Sequence, residues 1–474
     1  MTSAVVVGSG PNGLAAAVRL AQEGLSVRVL EAEPTIGGGT RSSTVAAGAG
    51  AGVVTDECSA FHPMGVASPF LASLGLERHG LRWRWPEVQF AHPLDGGRSA
   101  LLWRDVDRTA DGLGADGRAW DRTLGMIARS FPDLVPELLG PALHVPRRPI
   151  AFARFGALAA LPASVLARAW RGDEARALFG GVAAHAFSPL DAPLSSAVGL
   201  VLGAAAHAVG WPVAEGGSQA IADALAARLR ELGGVIETGV RVRTLEDAGS
   251  FDVLLLCTAP GAAASLLAGR LPAAVARSYA RYRHGPAAFK VDYVIEGEVP
   301  WAAPDIGRAG TVHLGGTFEE TAAAEKQVLA GHMPARPFVL VGQQFVADPG
   351  RSADGLNPLW AYAHVPNGYP GDATEAITGQ IERFAPGFRG RIRSVASRSV
   401  AQAEAHNANY VGGDISTGAN FGAQLLFRPR VALDPYSTGV PGVYLCSAAT
   451  PPGGGAHGMA GFHAAERAIA HLRR

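Results

Sequence analysis

Gly8-Ser9-Gly10-Pro11-Asn12-Gly13 spaces three glycines as Gly-x-Gly-x-x-Gly, and Glu31 stands 18 residues beyond the last of them. These residue types at this spacing suit a dinucleotide. The first glycine permits a tight turn, the second lets backbone approach a diphosphate, and the third lets a helix pack closely on a strand. A helix opening there turns N–H groups and partial positive charge toward phosphate. Glu31 can accept hydrogen bonds from both ribose hydroxyls. A second glycine loop, Gly37-Gly38-Gly39-Thr40-Arg41, begins six residues after Glu31. The first motif alone does not separate NAD from FAD. The second favours FAD, because it brings more backbone to the diphosphate and ribityl chain. Ser9, Pro11, Asn12, Ala32, Gly38, Gly39 and Thr40 therefore join the expected contact set. Arg41 either neutralises a phosphate, sits near the flavin, or is an ordinary solvated arginine.

A third glycine cluster lies at the other end of the chain, in Thr450-Pro451-Pro452-Gly453-Gly454-Gly455-Ala456-His457-Gly458-Met459. It follows the apolar run 442–446 and precedes an Ala-rich helical pattern. His457 is either a general base beside the cofactor or a loop histidine with satisfied hydrogen bonds. Of 41 basic residues only Lys290 and Lys326 are lysines. Lys290 lies in a strand-like stretch, Ala288-Phe289-Lys290-Val291-Asp292. Asp414 and His62 read as structural. No metal-ligand spacing and no Ser-His-Asp arrangement is found.

The elements that must hold these groups follow from the pattern. Residues 4–8 form an all-apolar strand, as a parallel strand buried on both faces requires. A helix over 14–23, stopped by Gly24, and a strand over 27–30 complete a βαβ start. Strands are expected at 83–90 and 100–103, and a Gly/Ala loop at 48–52. Residues 107–205 read as helices interrupted by Pro132, Pro136, Pro141, Pro146, Pro149 and Pro162. Gly216-Gly217-Ser218 opens a helix with Ser218 as its N-cap. Short strands are expected at 235–237, 240–245 and 252–257, the last ending at Thr258, which joins the cofactor set. Stretches 286–297, 311–316, 337–346 and 359–364 read as an antiparallel sheet. A helix is expected at 373–384, a last strand at 443–446 and a last helix at 458–472.

The fold class is therefore α/β. A Rossmann-like, doubly wound parallel sheet built from 1–105, 206–285 and 400–474 is interleaved with a mixed-sheet and helical substrate domain built from 106–205 and 286–399. Composition agrees: 474 residues, 48% hydrophobic and 17% charged, can bury a large core. The formal net charge of zero points away from nucleic acid. Three scattered cysteines, Cys58, Cys257 and Cys446, suggest no disulfide framework and fit a cytoplasmic protein; the last two read as buried apolar residues. The first strand starts almost at Met1, so no signal peptide is expected. Residues 151–170 carry Arg154, Pro162 and Arg168 and read as soluble helix or a membrane-surface segment, not a span. Arginines flanking apolar residues over 147–171 make peripheral membrane contact an open expectation.

With these motifs in place, the chain resembles the phytoene (carotenoid) desaturase-like branch of the FAD amine-oxidase superfamily. It is most similar to bacterial phytoene dehydrogenase-like oxidoreductases. The shared features are both glycine-rich ends, Glu215-Gly216-Gly217, Val240 and the stretch from Gly285-Pro286 to Trp301, so the resemblance runs nearly end to end. It implies non-covalent FAD, with a main-chain contact to adenine at Val240. It places Gly453-Gly454-Gly455 and the following helix against the isoalloxazine, with backbone N–H near Gly458 and Met459 facing the ring edge that gains negative charge on reduction. Lys290 matches a lysine that superfamily amine oxidases hydrogen-bond through water to flavin N5; otherwise it is a surface lysine whose stem packs on apolar neighbours. The chain departs from the family at Gly39, where an arginine is usual, and at Cys446-Ser447-Ala448, where Ser447 takes over a phosphate or ribityl contact. His457 departs too, standing where an apolar residue or proline is usual.

The expected activity is hydride transfer from a C–H bond of a largely apolar small molecule to flavin N5, with oxygen or a quinone as the electron acceptor. Desaturation of CH–CH is the first expectation and oxidation of CH–NH the alternative. Amine sites frame the flavin with paired aromatics, for which the C-terminal segment offers Tyr410, Phe421, Phe427 and Tyr436. A flavin-bound isomerase or binding protein without net redox turnover is the third reading.

Overall fold

In the computed structural model, which describes residues 2–45, 48 and 50–473, Ser3–Val7 is the central strand of a five-stranded parallel sheet. Its strand order is Val443–Leu445, Val253–Leu256, Ser3–Val7, Ser26–Leu30, Val235–Glu237. The chain leaves the central strand toward one side and returns on the other. That leaves a crevice at the carboxyl ends of the strands, where α/β sheets bind ligands. The buried apolar runs explain the strands: Val253–Leu256 is Val-Leu-Leu-Leu, with every residue buried. The expected βαβ start is present, with its helix at Pro11–Gln22. Ala49 of the expected Gly/Ala loop lies outside the described residues.

The first helix and the last, Met459–Leu472, pack against each other and bring the two chain ends together. Gly461 makes this possible. A Cβ there would fall 1.8 Å from the carbonyl oxygen of Asn12.

A seven-stranded sheet forms the second layer. Its order is Ile392–Arg398, Ala287–Glu296, Leu356–Val365, Val339–Gly342, Ala309–Leu314, Val88–Leu94, Arg98–Trp103. All neighbours are antiparallel except Val88–Leu94 with Ala309–Leu314. Helices from Val106–Gly112 to Ser196–Ala208 cover it. Pro136 sits inside the Phe131–Leu138 helix rather than ending it.

Several expectations are corrected. The single strand expected at 83–90 is two: Trp83–Arg84 pairs with Val213–Ala214, and Val88–Leu94 joins the second sheet. Residues 88–103 therefore leave the nucleotide-binding piece 1–105. The strand expected at 240–245 is absent, because the N–H groups of Arg243 and Thr244 donate to the Asp247 carboxylate and bend the chain into a turn. The strand expected at 337–346 stops at Gly342, and a helical turn follows. Ile392–Arg398 is an unanticipated edge strand.

Ser218 does not cap its helix. The N–H of Gln219 donates to Ser42 Oγ at 3.1 Å and that of Ser218 to Asp56 Oδ1 at 2.8 Å, so the caps come from a distant ribbon. Residues 151–170 form two helices, and the segments Pro149–Ala159 and Ala163–Ala169 meet at 94°. Among the described residues no single helix is long and apolar enough to cross a membrane.

Candidate functional site

The two glycine loops touch at the carboxyl end of the central strand. Gly8 turns with φ +98°, a conformation that favours glycine. A Cβ on Gly13 would lie 2.0 Å from the Gly8 carbonyl oxygen, so the first helix approaches its strand only because that position is glycine. A Cβ on Gly38 would fall 3.1 Å from Gly10 Cα, and the Gly37 N–H donates to the Ser9 carbonyl at 3.1 Å. Together they floor a cavity of about 920 Å3.

Glu31 is buried in its wall. Oε2 accepts the Ser9 N–H at 2.8 Å and the Ser9 hydroxyl at 2.5 Å, and Oε1 accepts the Glu33 N–H at 2.9 Å. Arg41 is buried, which excludes the solvated alternative. Its guanidinium donates to the carbonyls of Thr35 and His406 and lies 3.5 Å from Glu31, fastening the loop. Val240 also lines the cavity, and its N–H donates to the Glu31 carbonyl at 2.8 Å. Ala32, Thr40, Thr258 and Ser447 line the wall, with the Ser447 hydroxyl accepting the Ala449 N–H at 3.2 Å.

Five buried polar atoms of cavity-lining residues have no partner among the described residues; Trp360 Nε1 belongs to the aromatic wall and His406 Nε2 to the loop beside Arg41, and the other three are Asn12 Oδ1, Thr258 Oγ1 and Arg428 Nε. Buried polar atoms are normally satisfied. These three suit a ligand that brings hydroxyl and phosphate groups. A bound FAD would set its adenosine end by Glu31 and Val240 and its diphosphate by Gly8 to Gly13, and Thr258, Ser447 and Pro452 to His457 line the cavity on the other side of the sheet. This set fits FAD.

At that far end the expectations are revised. Gly458 and Met459 do not line the cavity. Gly458, at φ +69°, turns the chain against Ala15 and Leu71, and the Met459 N–H donates to His457 Nδ1 at 3.1 Å. That N–H is therefore committed within the protein. His457 lines the cavity, but burial pulls its pKa down to about 4, and its Nδ1 already accepts. It is a neutral, satisfied loop histidine rather than a free base.

Lys290 is not on the main cavity. It forms an ion pair with Asp292 in a small recess shared with Cys58, Tyr362 and Arg398. The partner was legible: residues two apart on a strand share a face. Burial pushes the Asp292 carboxyl up, and Lys290 opposes it. Asp414 is structural, accepting the N–H groups of Gly285, Ser416 and Gly418. His62 lines the cavity, bonded to Ser218 Oγ at 2.8 Å.

The remaining volume is an apolar chamber that sequence reasoning missed. Trp360 and Tyr362 form one wall, with ring centroids 5.1 Å apart at 82°, and Phe187 stacks on Tyr362 at 6.1 Å and 8°. The signal was the alternation Trp360-x-Tyr362 within an expected strand. Leu138, Leu139, Phe155, Leu425 and Leu426 add further apolar lining. His185 faces the chamber with its Nε2 2.8 Å from that of His313. The cavity-lining carboxylates among the described residues, Glu31 and Glu33, both lie at the nucleotide end.

Burial lowers the pKa of His62, His92 and His457 to about 4 and of His185 to about 3. The unfolded chain takes up these protons near pH 6.5 and the folded chain does not, so stability is retained above that pH and lost as pH falls toward 4. Urea unfolding free energies should fall by about 1 kcal/mol or more per histidine over that interval. A flat profile from pH 6.5 to 4.5 contradicts the burial of these rings as neutral species.

The model of NAD(P)-binding Rossmann-like domains matches residues 6–74. No curated protein matches the chain. Solved structures align over nearly its whole length. An oxidoreductase from Methanosarcina mazei shares 17% identity at a TM-score of 0.65, covering 99% of this chain and 100% of that one. Putrescine oxidase bound to putrescine shares 19% at 0.61, covering 100% and 99%. Cyclohexylamine oxidase from Brevibacterium oxydans IH-35A shares 18% at 0.58, covering 100% of both chains. The likeness is one of fold, a Rossmann-like nucleotide-binding domain joined to a mixed-sheet and helical domain. These likenesses do not single out the desaturase branch expected from the sequence.

Proposed function

We propose that this chain, an amine-oxidase-superfamily fold around an FAD cleft, oxidises the CH–NH bond of a small, largely apolar amine. The observation that carries this reading is the aromatic wall of Trp360, Tyr362 and Phe187 on an apolar chamber continuous with the cleft. The fold shared with putrescine and cyclohexylamine oxidases supports it.

Bound FAD supplies a two-electron acceptor. The protein orients and desolvates. The aromatic faces hold the substrate's apolar body, and the apolar lining disfavours water there. The substrate is held uncharged, since the chamber-facing histidine is neutral and the carboxylates lie at the other end. The carbon gives up a hydride, the nitrogen lone pair closes a C=N bond, and the N–H proton leaves to water. Oxygen or a quinone would be the final electron acceptor.

Anaerobic addition of cyclohexylamine should bleach the flavin band, and putrescine should not, because its second ammonium finds no counter-charge in the chamber. Tyr362→Ala should raise the half-saturating concentration of cyclohexylamine about tenfold, the scale of one aromatic contact. If no apolar amine bleaches the flavin, the amine reading fails. The apolar lining of Leu138, Leu139, Phe155, Leu425 and Leu426 favours a second reading, CH–CH desaturation of an apolar substrate, which bleaching by an apolar compound without nitrogen would support. Peripheral membrane contact is proposed from exposed Val145 and Ile150 beside Arg147 and Arg148. Failure to co-sediment with anionic vesicles removes it.

A further inference from the structure

Arg428 is 2% exposed, and its three hydrogen-bond partners are uncharged. Nη1 donates to the Ala448 carbonyl at 3.3 Å, and Nη2 donates to Asn420 Oδ1 at 2.5 Å and to the Ala419 carbonyl at 3.5 Å. Nε has no partner among the described residues. A buried charge without a counter-charge is costly unless a ligand supplies one. The other buried arginine on this cavity, Arg41, has Glu31 beside it.

The position of Arg428 narrows what the missing anion is. A Cβ on Gly453 would lie 3.2 Å from Nη1, so the guanidinium abuts the closing glycine loop. Ala448 and Gly453 line the cavity with it. They follow the Val443–Leu445 strand, at the opposite sheet edge from Val235–Glu237 and two strands from the Gly8 turn. Arg428 therefore stands on the ring side of the cofactor cleft. The two groups expected from the sequence to stabilise charge there are already engaged: Lys290 by Asp292, and the Met459 N–H by His457.

We propose that Arg428 is the counter-charge for the negative charge that the ring of bound FAD takes up on reduction. This rests on the FAD reading and adds to it the residue that adjusts the ring's electron affinity. A fixed cation in a water-excluded site acts without reorganisation as the charge develops.

Sulfite is the probe. Its sulfur lone pair forms one bond to the oxidised ring, which takes up the negative charge and loses its visible band. The FAD-loaded wild type should bind sulfite. Arg428→Gln should weaken that binding roughly ten- to hundredfold, the range for a hydrogen bond to a charged group. The two-electron reduction potential should fall in parallel by about 30–60 mV. Arg428→Lys, which keeps the charge, should recover most of both. ADP binding to the FAD-free protein should be equal in wild type and Arg428→Gln, because the diphosphate site is elsewhere.

The proposal is overturned if wild-type holoenzyme refuses sulfite. It is also overturned if Arg428→Gln at equal flavin content titrates like wild type, or if the loss appears in ADP binding instead. A wild-type protein that takes up no FAD overturns the cofactor reading itself, a separate result.

Discussion

Gly13→Ala is expected to give a colourless, destabilised protein. The added Cβ meets the Gly8 carbonyl oxygen at 2.0 Å and its carbon at 3.0 Å, and neither is the end of a flexible side chain. Relief requires the Pro11–Gln22 helix to move off the Ser3–Val7 strand. That helix also packs on Met459–Leu472 through Gly461, so the displacement reaches the closing loop. Overpacking of this kind costs about 1–3 kcal/mol in stability. The helix N-terminus would also lose its aim at the diphosphate, and 3 kcal/mol there is roughly a hundredfold in FAD affinity. Gly10→Ala separates the two effects. Its Cβ meets only Gly38 Cα, at 4.0 Å, so stability should hold while FAD binding falls. The checks are thermal unfolding and flavin retained after gel filtration. A yellow Gly13→Ala protein that melts with wild type refutes the account of the loop.

Arg351→Met should produce the largest loss of stability. Arg351 is fully buried, pairs with Asp56, lies 3.3 Å from Asp348 and donates to the Ala214 carbonyl at 2.7 Å. Asp56 accepts the Ser218 N–H and the Ser42 hydroxyl, and Asp348 accepts the Gly216 N–H at 2.8 Å. One guanidinium thus anchors the start of the Gln219–Glu231 helix. Removing it leaves two carboxylates unpaired in the interior, a loss of about 3–5 kcal/mol.

The pH dependence follows from Asp56. Burial pushes its carboxyl up, but Arg351 and the hydrogen bonds of Ser218 and Ser42 outweigh that and hold it below the ordinary range. In wild type this stabilisation is present above about pH 4 and lost as pH falls through the lower folded value. In Arg351→Met the Ser218 and Ser42 hydrogen bonds remain but the charge that chiefly opposes burial is gone, so the Asp56 pKa rises, and the deficit against wild type should narrow from pH 7 to pH 5. Guanidinium unfolding at both pH values measures it. A deficit under 1 kcal/mol at pH 7, or one that widens toward pH 5, contradicts this account.

Legibility followed the range of the interaction. The Gly-x-Gly-x-x-Gly turn, the all-apolar strand before it and Glu31 at the end of the next strand are local facts, because turn geometry and parallel-strand burial act within a few residues. The strand 240–245 failed at the same range, because Asp247 offered the backbone a competing partner. Residues 88–103 were misassigned because an apolar strand does not declare which of two sheets it enters.

The sequence by itself determined the dinucleotide turn, the interleaving of two sheets and the meeting of the chain ends over one crevice, since these rest on short-range sterics and buried apolar runs. Only the tertiary structure decided which charges are free. Lys290 looked like the cation for the ring and is neutralised by Asp292; Arg428, from a stretch with no motif to mark it, has no ion-pair partner among the described residues. The physical reason is that a charge's effect depends on what lies within a few ångströms after folding, and for Arg428 those neighbours are Ala419, Asn420, Ala448 and Gly453, brought together from two segments of the chain.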